Sequence, residues 1–184
     1  MRIRSWLRVQ LSFLLLAVAL PVAAQQSITL ASGKTITASV TSTQTILHLS
    51  DTHSRRPRVI LERDATIAKG VPPSALKLIA EIPGSAILLT DTYPSLPGGL
   101  SYCQAGEEQF LRVINTSGRR PVETYHVKLA SCRDNIELAQ PGLTWSSTTK
   151  TLEIHWLTRP SQPATVTLTI DANGKPSIAA APTH

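Results

Sequence analysis

Aromatic residues are scarce in this 184-residue chain, at 4%, with three Trp, three Tyr and two Phe. A nucleic-acid surface needs a basic stripe interleaved with aromatics, and no stretch has that build, so nucleic-acid binding is set aside. The five histidines, His48, His53, His126, His155 and His184, show no H-x-x-x-H or H-E-x-x-H spacing. No metal site is therefore expected, and no cofactor. The longest apolar run, Leu11 to Leu20, is about half the length needed to span a bilayer. Internal repeats and interdomain linkers are lacking as well, which leaves one domain to account for.

What is present begins with a targeting pattern. Arg2, Arg4 and Arg8 carry the only charges of the first residues, the apolar run follows, broken by Ser12, and Pro21-Val22-Ala23-Ala24 supplies small side chains. This order predicts a secretory signal peptide over residues 1–24, a single β-rich domain over 25–178 and a flexible tail over 179–184. No cysteine stands at the cleavage site, which argues against a lipid anchor. Cleavage would take Lys+Arg from 18 to 15 against 12 acids, so net charge would fall from +6 to +3. The expected location is the periplasm or the outside medium, with no integral membrane span left. Such a compartment is oxidising, so Cys103 and Cys132, which lie 29 positions apart, are expected to form one disulfide. Closing that loop would contribute on the order of 3 kcal/mol.

Along the chain the period is mostly two. Ser27–Ala31 and Thr35–Val40 alternate apolar residues with Thr or Ser around Ser32-Gly33-Lys34, a hairpin pattern. Thr45–Leu49 and Arg58–Arg63 read as strands around a charged loop, Asp51–Pro57. Pro72-Pro73-Ser74 followed by Ala75–Ile82 fits a short helix capped by Ser74, with Lys77 and Glu81 on one face; a strand is the alternative. Ala86–Thr90 reads as a buried strand, and Thr92–Gly99 as a loop whose prolines oppose regular pairing. Gln109–Ile114 is apolar enough for both faces to be covered, and pairs with Val122–Leu129 across the turn Asn115–Pro121. In the second arm Tyr125, Val127 and Leu129 face one way, Thr124, His126 and Lys128 the other. Cys103 precedes this hairpin and Cys132 follows it, so a bridge would clamp its open end. Leu143–Ser146, Leu152–Leu157, Ala164–Ile170 and Pro176–Ile178 complete about nine or ten short strands. The fold class expected is all-β, with at most one short helix, as an antiparallel sandwich or barrel.

Catalytic patterns are thin. Ser74-Ala75-Leu76-Lys77 matches S-x-x-K, the serine–lysine spacing of penicillin-recognising enzymes, but the companion motifs are lacking and the chain is short for that fold. Cys132-Arg133, with His126 upstream, is similar to the nucleophile region of cysteine transpeptidases that crosslink peptidoglycan. The glycine before the cysteine is missing, however, and the arginine comes one residue early. A nucleophile must be a free thiolate, so a structural disulfide is the stronger expectation. Glu107 and Glu108 are adjacent and would point to opposite faces of a strand, which suits solvated turn charges better than glycosidase chemistry. His126 and His155 are expected as exposed strand histidines; a shared sheet surface with Glu123 or Glu153 is the alternative. Trp145 and Trp156 are expected to pack the core of the last hairpin.

The segments Gly98-Gly99-Leu100-Ser101-Tyr102-Cys103-Gln104-Ala105-Gly106-Glu107-Glu108-Gln109-Phe110-Leu111-Arg112-Val113 and Leu129-Ala130-Ser131-Cys132-Arg133-Asp134-Asn135-Ile136-Glu137-Leu138 resemble those of small exported bacterial proteins of unassigned function. Their looser C-x-A-G-x-E … S-C arrangement is similar to periplasmic proteins regarded as immunity proteins against delivered toxins. The resemblance covers about a quarter of the chain and carries over no catalytic residue. It implies a non-enzymatic binder whose partner is a protein, a toxin or cell-wall enzyme. The alternatives are an envelope-associated structural or assembly protein and a small peptidoglycan-modifying cysteine enzyme. An inhibitor inserts one pre-ordered loop into a cleft. Tyr93, Leu96, Tyr102, Gln104, Glu107 and Glu108 are the expected contacts on such a loop, and His53, Arg55 and Arg56 form a second candidate patch.

Overall fold

Period-two alternation along nearly the whole chain produces strands and no helix among the described residues of this computed structural model, which are 26–50, 57–96 and 106–180. The first four strands are β1 (Ser27–Thr29), β2 (Thr35–Val40), β3 (Thr45–Ser50) and β4 (Arg58–Leu61). Then come β5 (Ala75–Ile82), β6 (Ala86–Pro94), β7 (Glu107–Asn115) and β8 (Val122–Ser131). The last four are β9 (Glu137–Ser146), β10 (Thr151–Thr158), β11 (Thr165–Ile170) and β12 (Pro176–Ala180). Each group of four forms its own open, antiparallel meander, in the orders β1-β2-β3-β4, β5-β6-β7-β8 and β12-β11-β10-β9. Connections between consecutive antiparallel neighbours can be short, which is why turn signals recur so evenly in the sequence.

The middle meander is the layer shared by two cores. On one face Leu88, Leu111, Val113 and Leu129 pack with Leu152, Ile154, Trp156, Val166, Leu168 and Ile170 of the last sheet. On the other Leu76, Ile87, Leu89 and Ile114 pack with Ile36, Leu47, Leu49, Val59 and Leu61 of the first. β6 is consequently buried at every position before Pro94, as its continuous run of apolar and small residues requires. The outer sheets have only one face to bury. β11 therefore alternates strictly, with Val166, Leu168 and Ile170 inward and its threonines on the other side. Trp156 is buried, donating its indole N–H to the Leu129 carbonyl at 3.0 Å, and Trp145 packs against the same core.

Four expectations need correction. Residues 75–82 are strand β5 and not a helix. The register steps from Leu78↔Leu89 to Ala80↔Leu88, so Ile79 is an inserted residue. Leu76 and Leu78 before it face the first sheet, while Ala80 and Ile82 after it face the last. This bulge breaks the period of two and imitates helical spacing. Ser74 caps nothing; its N–H and hydroxyl both donate to the Thr92 carbonyl, at 2.7 and 3.1 Å. β6 runs on through Tyr93 to Pro94, which pairs with Glu107, so the expected loop starts later. β12 reaches Ala180 opposite Val166, placing 179 and 180 in the sheet and not in a tail. The strands number twelve against the nine or ten expected, with β5 added in place of the short helix.

One glycine fixes how the last sheet meets the middle one. Gly174, at φ +75°, ends the turn between β11 and β12, and a Cβ there would stand 2.2 Å from the Ser85 carbonyl oxygen. Only glycine allows both that backbone conformation and that approach.

Candidate functional site

The face of the middle sheet toward β1–β4 changes character along its length. It is apolar at Ile87, Leu89 and Ile114, then charged at Asp91, Glu108, Arg112, Glu123 and Lys128. Alternation sets this out: Asp91 and Tyr93 continue the row of Ile87 and Leu89, and Arg112, Phe110 and Glu108 continue the row of Ile114. The strands of the first sheet are short and cover the apolar half. The segment from Glu62 to Pro73 covers the charged half, laying Ile67 on Tyr93 and Phe110.

Arg112 is 1% exposed and stands at the centre. Its Nε donates to Asp91 Oδ1 at 2.9 Å and its terminal N–H groups donate to Glu123 Oε1 at 2.9 Å and to the Glu62 carbonyl at 2.7 Å. Glu123 Oε2 in turn accepts the Glu62 N–H at 2.6 Å. The ion pair thus grips both backbone groups of the residue that follows β4. Burial by itself would lower the Arg112 pKa, but the Asp91 and Glu123 carboxylates outweigh it and hold the guanidinium above its ordinary value. The Tyr93 hydroxyl donates to Asp91 Oδ2 at 2.7 Å and lies 3.2 Å from Thr45 Oγ1. Burial and then the Asp91 charge push this phenol up from its usual pKa. Arg63 reaches Thr45 Oγ1 at 3.0 Å and the Val71 and Ala68 carbonyls, with its guanidinium 5.6 Å from the Tyr93 ring centroid.

A second knot forms around Lys128, whose Nζ lies 3.2 Å from Asp64 Oδ2, 3.9 Å from Glu108 Oε2 and in contact with Asp134. Desolvation works against the Asp64 carboxylate, yet the Thr66 hydroxyl and N–H, with Lys128, hold it below the usual range. Glu108 is fully buried; Oε1 accepts the Ser95 hydroxyl at 2.7 Å, while Oε2 has no hydrogen-bond partner. Next to this knot lies the base of segment 97–105. The Ser95 N–H donates to the Gly106 carbonyl at 2.9 Å and the Leu96 N–H to the Thr66 carbonyl at 3.2 Å. Gly106 sits so close to Cys132 that a Cβ would meet its Cβ at 2.6 Å. Cys132 is disulfide-bonded and no described cysteine is free.

Of the residues expected at a binding surface, Tyr93 is 1% exposed and Glu108 is 0%. Neither is offered to a partner; both are buried, because β6 and β7 extend further than their prolines and acids suggested. Leu96 is half-buried and Glu107 is exposed opposite Pro94. Tyr102, Gln104, His53, Arg55, Arg56 and Cys103 lie outside the described residues. His126 and His155 do not converge. His126 is half-buried near Glu62 and Glu123, whereas His155 sits beside Glu153 and Thr165 on the last sheet's outer face. Asp91, Arg112, Lys128 and Asp64 escaped the sequence reading. A charge in the middle of an apolar strand, as in Phe110-Leu111-Arg112-Val113-Ile114, was the available signal, since such a group must find a buried counter-charge.

No group of three or more His, Cys, Asp or Glu residues among those described is arranged to hold a metal ion. Apart from Arg63 Nε and Glu108 Oε2, which lack hydrogen-bond partners, the network's buried polar atoms pair with one another and with backbone beneath Asp64–Val71, an arrangement suited to holding backbone in place. No family model, curated protein or solved structure matches this chain.

Proposed function

We propose that this chain is an exported protein-binding module, an immunity protein or inhibitor of an envelope-targeting enzyme, which meets its partner through segment 97–105. The observation that supports this most is the anchoring of that segment's base. Ser95, Leu96 and Gly106 are tied by backbone hydrogen bonds and by Glu108 to a buried charge network, and Gly106 packs on a disulfide-bonded Cys132. A loop whose ends are fixed in advance loses less entropy on docking. Pairing of Cys132 with Cys103 would fix the same segment from within, and it opposes a thiolate nucleophile at Cys132. The remaining expected contacts are Leu96, Tyr102, Gln104 and Glu107, with His53, Arg55 and Arg56 as a second patch.

The test uses oxidised protein starting at Gln25, titrated against a panel of purified wall- and lipid-degrading enzymes. Retention and inhibition of one enzyme at nanomolar concentration is expected, as for complexes of standard interface size. A panel with no enzyme inhibited contradicts the reading. A second reading, an assembly protein joined edge to edge, rests on β12, which has an open edge and carries Ile178 at 54% exposure. Concentration-dependent self-association abolished by Ile178→Lys would favour it.

A further inference from the structure

In an antiparallel meander, every connection from an odd strand to the next even one lies at the same end. Four such turns, β5–β6 (83–85), β7–β8 (116–121), β9–β10 (147–150) and β11–β12 (171–175), meet at the end of the molecule remote from segment 97–105. They are tied to one another. The Thr116 N–H donates to the Ser85 carbonyl at 2.8 Å, and the Ser85 hydroxyl donates to the Ala172 carbonyl at 3.1 Å. Asn115 Nδ2 and Ser117 Oγ both donate to the Asn173 carbonyl, at 2.8 and 3.0 Å. The Ile170 N–H donates to the Lys150 carbonyl at 3.0 Å, which joins the fourth turn to the others.

The charge these turns offer to solvent is cationic. Arg119, Arg120 and Lys175 are exposed and Lys150 is half-buried. Among the described residues no carboxylate is paired with any of the four. The carboxylates nearest the turns are engaged by other groups. Glu81 Oε2 accepts the Ala31 N–H at 2.7 Å, Asp171 Oδ1 accepts the Asn173 and Lys175 N–H groups, each at 2.8 Å, and Glu123 pairs with Arg112. Apart from Pro83 and Pro121, the four turns carry no apolar side chain larger than that of Ala172. A protein interface draws its affinity from large anchors packed at its centre, which these turns do not supply. Adsorption to a charged lipid surface needs only the charge.

We infer that this end of the molecule docks on an anionic lipid surface, with headgroup phosphates taken by Arg119, Arg120, Lys150 and Lys175. The docking is peripheral, through headgroups alone. It leaves Ser95 and Gly106, which bracket segment 97–105, on the side of the molecule away from the lipid. This goes beyond partner binding and stands without it.

The experiment sediments the protein from Gln25, which contains every described strand, with vesicles of phosphatidylglycerol and phosphatidylcholine in equal parts. Vesicles of phosphatidylcholine alone serve as the comparison. Partition onto the anionic vesicles only is expected, with release in about 0.5 M salt, where charges are screened over a few ångströms. Lys175→Gln should weaken the partition roughly fivefold, and Arg119→Gln with Arg120→Gln roughly thirtyfold, as for about 1 kcal/mol per cation near the surface. These side chains are exposed, so both variants should keep the parent's urea midpoint. Lys69→Gln, at an exposed lysine between β4 and β5, removes the same net charge elsewhere and should leave the partition unchanged. Equal sedimentation with the two kinds of vesicle, no sedimentation with the anionic ones, or equal weakening by Lys69→Gln and Lys175→Gln would each overturn the assignment.

Discussion

The two faces of the middle sheet are built from the same four strands and stabilised by different physics. Toward β9–β12 the core contact is apolar, so burial area dominates, and directional contacts are confined to the Trp156 indole on the Leu129 carbonyl and to the β11–β12 turn against Ser85 and Asn115. Toward β1–β4 the apolar contact gives way to Arg112, Asp91, Glu123, Glu108 and Lys128, where direction and distance matter. An apolar core would have sufficed for stability, and replacing buried ion pairs by well-packed hydrophobics is often neutral or stabilising. What the charged half adds is placement. It fixes the Glu62 backbone, the covering segment and the base of 97–105 to definite atoms.

This contrast can be broken most forcefully at its centre. Arg112→Met leaves Asp91 and Glu123 buried without a cation and should cost about 3–5 kcal/mol in urea unfolding. Adding Asp91→Leu and Glu123→Leu should recover much of that stability while leaving the Glu62 backbone unheld. Full recovery of amide protection at Glu62 in the triple variant would show that the network places nothing. On the apolar face Leu152→Ala should cost about 2–5 kcal/mol without altering protection at Ser95 and Gly106. Tyr93→Phe removes one hydrogen bond to a carboxylate and should cost about 1.5–3 kcal/mol.

Much of this architecture was legible in the chain. The hairpins around Gly33 and Asn115–Pro121, the two-sided burial of Gln109–Ile114 and the inward set Leu152, Ile154 and Trp156 all follow from alternation and turn residues. β5 was not, because the inserted Ile79 moves its apolar residues from one face to the other, and no local rule distinguishes that from a helical repeat. The charged network was not legible either. Alternation shows which face Asp91 and Arg112 take, but their pairing depends on register between strands, and the third partner, Glu62, comes from the segment that follows β4 of the first sheet. For the same reason Glu108 read as a solvated acid: nothing local reveals Ser95 and Lys128 across from it.

Smaller effects sharpen the comparison. The Asp64 pKa lies below its unfolded value of 3.8, so its contribution to stability is fully present above pH 3.8 and is lost as pH falls through the lower folded value. Lys128→Met removes one of the causes, so the slope of unfolding free energy against pH below 3.8 should shrink or invert; an unchanged slope would remove Lys128 from the account. Least of all, Leu157→Thr on the outer face, at 69% exposure, should shift stability by no more than about 0.5 kcal/mol, measured by the same urea transitions.

The most direct test of the binding account replaces residues 97–101 with Gly-Ser-Gly-Ser-Gly, leaving Ser95, Gly106 and Glu108 untouched, and compares inhibition of the captured enzyme with that by the parent. The account predicts an unchanged thermal midpoint and an inhibition constant at least about a hundredfold weaker, the loss of a hot-spot loop. Equal inhibition by the two proteins would contradict it and move the interface elsewhere on the molecule.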